Sequence, residues 1–155
     1  NEGSLIVSAS EDEAIRIWDT QTGECIRILE GHEDSVRSAA FNQNGSLVVS
    51  ASDDSKILIW DVKTGECIRI LEGHEDWVGS AAFNNEGSLI VSASEDESIR
   101  IWDSHTGEWI RNLEGHEASV RSAAFNQNGS LFASASDDSK ILIWDGKTGE
   151  CIRIL

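Results

Sequence analysis

Residues 31–61 read GHEDSVRSAAFNQNGSLVVSASDDSKILIWD. Val36 to Phe41 is a short apolar run, and Gln43-Asn44-Gly45-Ser46 follows it with Asn-Gly, a strong tight-turn signal. Leu47 to Ser52 is rich in β-branched and small residues, Asp53-Asp54-Ser55 turns the chain, and Ile57 to Trp60 is a third run. Beyond it, Lys63-Thr64-Gly65-Glu66 turns again and Cys67 to Leu71 supplies a fourth. No segment keeps a helical period, and no proline withdraws a backbone N–H from a ladder. The stretch predicts one antiparallel sheet of four strands.

Outward from it, the same pattern recurs. Trp-Asp stands at Trp18-Asp19, Trp60-Asp61, Trp102-Asp103 and Trp144-Asp145, each 42 residues from the last. Gly-His keeps the same spacing at Gly31-His32, Gly73-His74 and Gly115-His116. A fixed period near 40 marks a supersecondary unit copied in tandem, which buries its apolar face only by stacking on its neighbours. The copies run over about 1–29, 30–71, 72–113 and 114–155 of a single 1–155 segment. They alternate: residues 1–71 match residues 85–155 at 62 of 71 positions, and match the adjacent copy at many fewer. Near-identity points to recent duplication of a two-unit block.

Gly-His, the Asn-Gly turn, Ser-Ala-Ser-x-Asp and Trp-Asp, linked in this order along the whole chain, make it resemble the WD-repeat β-propeller family. The resemblance implies an all-β fold of four-stranded antiparallel blades, about four per chain, arranged radially so that few sheet edges stay open. It also implies a hydrogen-bonded network inside each blade: His32, Asp54, Ser50 and Trp60; His74, Asp96, Ser92 and Trp102; His116, Asp138, Ser134 and Trp144. The chemistry is self-consistent. A carboxylate accepts from one imidazole nitrogen, the other nitrogen pairs with a hydroxyl, and that hydroxyl accepts the indole N–H. Ser52 shares a strand face with Ser50 and is the weaker choice.

Ser, His and Asp together also describe a catalytic triad. Three copies at identical spacing argue instead for a structural role, so no catalytic residue is assigned. No two histidines sit at ligand spacing, so no metal is expected, and nothing calls for a cofactor. The formal net charge of −16 argues against nucleic acid and against anionic membrane surfaces. No apolar run is long enough to span a bilayer. Cys25, Cys67 and Cys151, an odd count at one per repeat, point to free thiols and a cytoplasmic setting.

In so uniform an array the departures are the informative residues. Trp77 replaces Ser35 and Ser119, and Gly79 replaces Arg37 and Arg121, beside the loop that carries Gly-His. The resemblance places that loop on the face most used for partners, so Trp77, Arg37, Arg121, Ser35 and Ser119 are the candidate contact residues. Trp109 stands where other copies have Cys and is expected to cover apolar surface at the rim or to pack against a neighbour. Lys56, Lys140, Arg16 and Arg100 alternate with apolar residues and are expected to face solvent.

Four periods need 168 residues, and 155 are present. The first copy lacks the counterpart of Glu30–Asn42, hence an innermost strand and a histidine for Ser8, Asp12 and Trp18. With no methionine, Asn1 is expected to follow a trimming or excision step. Four blades are few for a ring, so the chain is expected to be an interaction scaffold that pairs with itself as a homodimer of eight blades, or sits in a longer array, and binds a peptide or protein on one face. The competing readings are a designed or excised repeat array without a partner, a repeat lectin, for which only Trp77 offers an exposed aromatic, and a hydrolase.

Overall fold

The computed structural model describes residues 4–155. β1 (Leu5–Ala9), β2 (Ala14–Asp19) and β3 (Cys25–Glu30) form a three-stranded sheet. Three four-stranded sheets follow: β4 (Val36–Phe41), β5 (Leu47–Ser52), β6 (Ile57–Asp61) and β7 (Cys67–Leu71); β8 (Val78–Phe83), β9 (Leu89–Ser94), β10 (Ile99–Asp103) and β11 (Trp109–Leu113); β12 (Val120–Phe125), β13 (Leu131–Ser136), β14 (Ile141–Asp145) and β15 (Cys151–Ile154). Every neighbouring pair is antiparallel, and the strands of each sheet lie in chain order. The sheets are the blades of a propeller. In the first blade, β1 pairs with β2, and no strand flanks its other edge among the described residues.

The turns show why this sequence makes these hairpins. The Trp-Asp aspartate caps the turn after it: Asp61 Oδ1 accepts from Thr64 N–H at 2.7 Å while Gly65 N–H reaches the Asp61 carbonyl at 2.8 Å. Gly65 has φ of 79°, a conformation glycine adopts without steric cost. The same device recurs at Asp19, Asp103 and Asp145, whose carboxyls are held below the ordinary range by these backbone N–H groups.

The core lies between blades rather than within them. One face of the second blade, with Val49, Ile57, Ile59 and Leu71, packs on Val78, Ile90 and Trp102 of the third. The seams before and after repeat this pairing of an isoleucine face with a tryptophan face. Two faces have no partner blade among the described residues. On the first blade Ile6 is 56% exposed, whereas its counterparts Val48, Ile90 and Phe132 are buried. On the fourth, Ile141 is 44% and Leu155 64% exposed, whereas Ile57 and Leu71 are buried.

The turn after each of β1, β5, β9 and β13 is built with a non-glycine residue in the left-handed region: Glu13, Ser55, Glu97 and Ser139 have φ of 65–68°. That conformation disfavours L side chains by about 1–2 kcal/mol. Ser55→Gly should therefore stabilise the chain by about 0.5–1 kcal/mol after the entropic penalty of glycine, and Gly45→Ala, at φ of 71°, should destabilise it. Urea unfolding checks both signs. A loss of stability in Ser55→Gly would contradict this account of the turn.

Candidate functional site

The loop before each innermost strand is fixed by the buried histidine. His32 Nδ1 lies 2.7 Å from Asp54 Oδ2, His32 Nε2 lies 2.8 Å from Ser50 Oγ, and Trp60 Nε1 donates to Ser50 Oγ at 2.8 Å. His74, Asp96, Ser92 and Trp102 meet at 2.7, 2.7 and 2.8 Å, and His116, Asp138, Ser134 and Trp144 at 2.8 Å throughout. An ionised aspartate only accepts, so Nδ1–H donates to it; Nε2 then accepts the serine proton, and the serine oxygen accepts the indole N–H. Asp54 also accepts from the N–H groups of Glu33 and Lys56, tying the histidine loop to the Asp53–Ser55 turn. Ser52 hydrogen-bonds to neither His32 nor Trp60; its hydroxyl donates to the Asp34 carbonyl and accepts from the Asp54 N–H.

Burial alone would raise the Asp54, Asp96 and Asp138 carboxyls; the histidine and the other hydrogen-bond donors outweigh it and hold all three below the carboxylate range. Burial pushes the His74 imidazole below its ordinary value against the pull of Asp96. This Ser–His–Asp geometry is unsuited to nucleophilic attack. Ser50 is fully buried, and its oxygen is held between an imidazole and an indole.

In the first blade Trp18 Nε1 still donates to Ser8 Oγ at 2.9 Å, but Asp12 pairs with Arg16, Oδ2 to NH2 at 2.6 Å. Arg100, expected to face solvent, is 6% exposed instead. Alternation with apolar residues misled here, because His74 already holds Asp96 and leaves Arg100 NH2 3.9 Å from that carboxylate. The guanidinium instead lies 4.1 Å over the Trp109 ring, which also leans on Trp102, and its buried Nε and NH1 have no hydrogen-bond partner among the described residues. Arg16, Lys56 and Lys140 remain partly exposed and ion-paired with Asp12, Glu33 and Glu117.

The histidine-loop face carries a cleft of about 340 Å³, lined by Arg37, Asp53, Trp77, Gly79, Glu95 and Arg121. Three blades contribute to it. Arg37 is clamped by Asp53, with Nε to Oδ1 at 2.7 Å, and its guanidinium stands 5.5 Å from the centre of the Trp77 ring. Trp77 is 44% exposed. Arg121 bridges Asp137 and Glu95, reaching back across the seam. A side chain at position 79 would meet the Arg121 backbone, its Cβ 3.0 Å from the carbonyl oxygen. Ser35 and Ser119 do not line the cleft. Their carbonyls accept from Asp53 and Asp137, as the Trp77 carbonyl accepts from Glu95, so the three residues differ only in side-chain reach. Glu95 and Asp53 escaped the sequence reading; the Glu/Asp alternation between copies at that position was the available signal.

Two outcomes follow from the networks. Trp60→Phe removes a buried donor and should cost about 1–3 kcal/mol in urea unfolding. A folded-state histidine below its unfolded value contributes stability that is complete above about pH 6.5 and is lost as pH falls towards the folded value. The destabilisation caused by His74→Gln should therefore shrink between pH 7 and pH 5, as paired thermal melts would show. A gap that widens on acidification would mean that His74 is charged in the folded state.

Among known proteins, a 42-residue stretch is 43% identical to Nuclear distribution protein PAC1 of Mycosarcoma maydis, 27% of this chain and 9% of that protein. Thirty-five residues are 54% identical to Nuclear distribution protein PAC1 of Arthroderma otae, 23% of this chain and 8% of that protein. The matched stretches thus span less than a tenth of these relatives. The profile described as WD domain, G-beta repeat matches residues 1–19, 23–61, 65–103 and 107–145, most of the sequence, and the chain belongs to the WD-repeat family.

Proposed function

We propose that the chain is a non-catalytic protein-interaction scaffold that binds a peptide or protein segment in the cleft around Trp77. The observation that carries this reading is Trp77 itself. In an array of near-identical blades, one histidine loop presents a half-exposed indole, and Gly79, two residues on, lines the same cleft. Rigid placement suits recognition, since the networks hold the loops at fixed positions. The net charge of −16 favours a basic segment, drawn in more strongly at low salt. Three exposed, unpaired cysteines fit a cytoplasmic location.

The reading includes ring closure. The uncovered face at Ile6 and Trp18 is the counterpart of the tryptophan faces buried inside the array, and the uncovered face at Ile141 and Leu155 is the counterpart of the isoleucine faces. Two copies joined head to tail would bring these faces together twice and close eight blades about a two-fold axis; further repeats on a longer chain would use the same seam.

Peptides selected from a random display library against the 155-residue chain test the cleft. Binders should be basic, and Trp77→Ala should weaken them by about 2 kcal/mol, the effect of removing an aromatic anchor. The opposite end of the channel carries Phe41, Phe83 and Phe125. Binders that ignore Trp77 and lose affinity with Phe83→Ala would refute the assignment.

A further inference from the structure

Three seams within the chain share a contact that the sequence alone does not reveal. Each outer strand carries an arginine that crosses to the next blade and lies over the glycine of its Thr-Gly turn. Arg27 NH1 and NH2 donate to the carbonyls of Thr64 and Lys63 at 3.1 and 2.8 Å, and the Arg27 side chain stands 3.0 Å from where a Cβ on Gly65 would be. Arg69 donates through Nε and NH2 to the His105 carbonyl at 3.1 and 2.9 Å and packs over Gly107. Arg111 lies over Gly149 at 2.7 Å, measured in the same way. Leu71 and Leu113 accompany their arginines onto these glycines.

The fourth arginine and the fourth glycine are both unused. Arg153 is exposed, and its guanidinium has no partner among the described residues. Gly23 has the same left-handed φ, 74°, and nothing within 4 Å of its Cβ position. One period before Lys63 and Thr64 stand Gln21 and Thr22. The geometry points to a latch between copies: Arg153 of one chain lies across Gly23 of a second and donates to its Gln21 and Thr22 carbonyls, with Leu155 beside it. This inference rests on the ring-closure reading and names the contact that sets its register. The occupant is a second copy because its Gln21–Gly23 turn matches the three turns over which Arg27, Arg69 and Arg111 lie within the chain, the first two held there by hydrogen bonds. A guanidinium also suits the task chemically, since its planar fork can reach two successive carbonyls as Arg27 does.

Sedimentation equilibrium of the 155-residue chain tests the latch in a cycle of Arg153→Ala, Gly23→Ala and the double variant, with circular dichroism to confirm that each folds. Arg153→Ala should weaken self-association about tenfold or more, the loss of a charge-assisted hydrogen bond. Gly23→Ala should weaken it in the parent and cost clearly less in the Arg153→Ala background, because the arginine is then gone and only Leu155 is obstructed. Association that is insensitive to Arg153, or additive losses from the two variants, would overturn the latch while leaving ring closure standing. A chain that stays at 16.9 kDa at every concentration would overturn both.

Discussion

The apolar seam between successive blades is the interaction on which the rest depends. A blade of four short strands has two faces and no interior, so Ile57, Ile59 and Leu71 leave water only by meeting Trp102 and Ile90 of the next blade. Burial of this kind is worth about 25 cal/mol per Å² of apolar surface, and here it accrues only between units. The seam explains why Trp, Ile and Leu recur at fixed positions. It also explains why Ile6 and Ile141, in repeats nearly identical to buried ones, are left in contact with solvent.

The hydrogen-bond networks serve the seam and the cleft together. Each places a buried indole against the neighbouring blade and ties the loop on the channel face to the turn beside it through one aspartate. With the loops fixed, two substitutions remodel the surface in concert. Trp77 meets Arg37 of the blade before, and Gly79 lies against the backbone of Arg121, which pairs with Glu95. Without an arginine at position 79, Glu95 has no partner on its own innermost strand equivalent to Arg37 on Asp53, and Arg121 of the following blade supplies one.

Much of this was legible in the sequence. Strand positions followed from short apolar runs between Asn-Gly, Asp-Ser and Thr-Gly turns, and the family resemblance named the histidine, aspartate, serine and tryptophan that lie within hydrogen-bond reach. Competition for a shared group was not legible. Arg16 and Arg100 occupy equivalent positions in matching copies, yet one pairs with Asp12 and the other is buried against Trp109, because a histidine claims Asp96 and none among the described residues claims Asp12. Contacts between blades were hidden for a similar reason. The reach of Arg27 to Lys63 and Thr64 depends on how two sheets splay, which a linear repeat does not record.

The central claim is that the uncovered tryptophan face of the first blade is half of a seam, completed in the assembled protein as the other seams are. Exchange of the indole N–H protons with deuterium reads this directly. Trp60, Trp102 and Trp144 donate to buried serines within closed seams, while Trp77 and Trp109 are exposed. Trp18 makes the same bond to Ser8 on the open face. At high protein concentration the account predicts four slowly exchanging indoles, with Trp18 joining the other three and leaving them on dilution. A Trp18 indole that exchanges as freely as that of Trp77 at every concentration would contradict it.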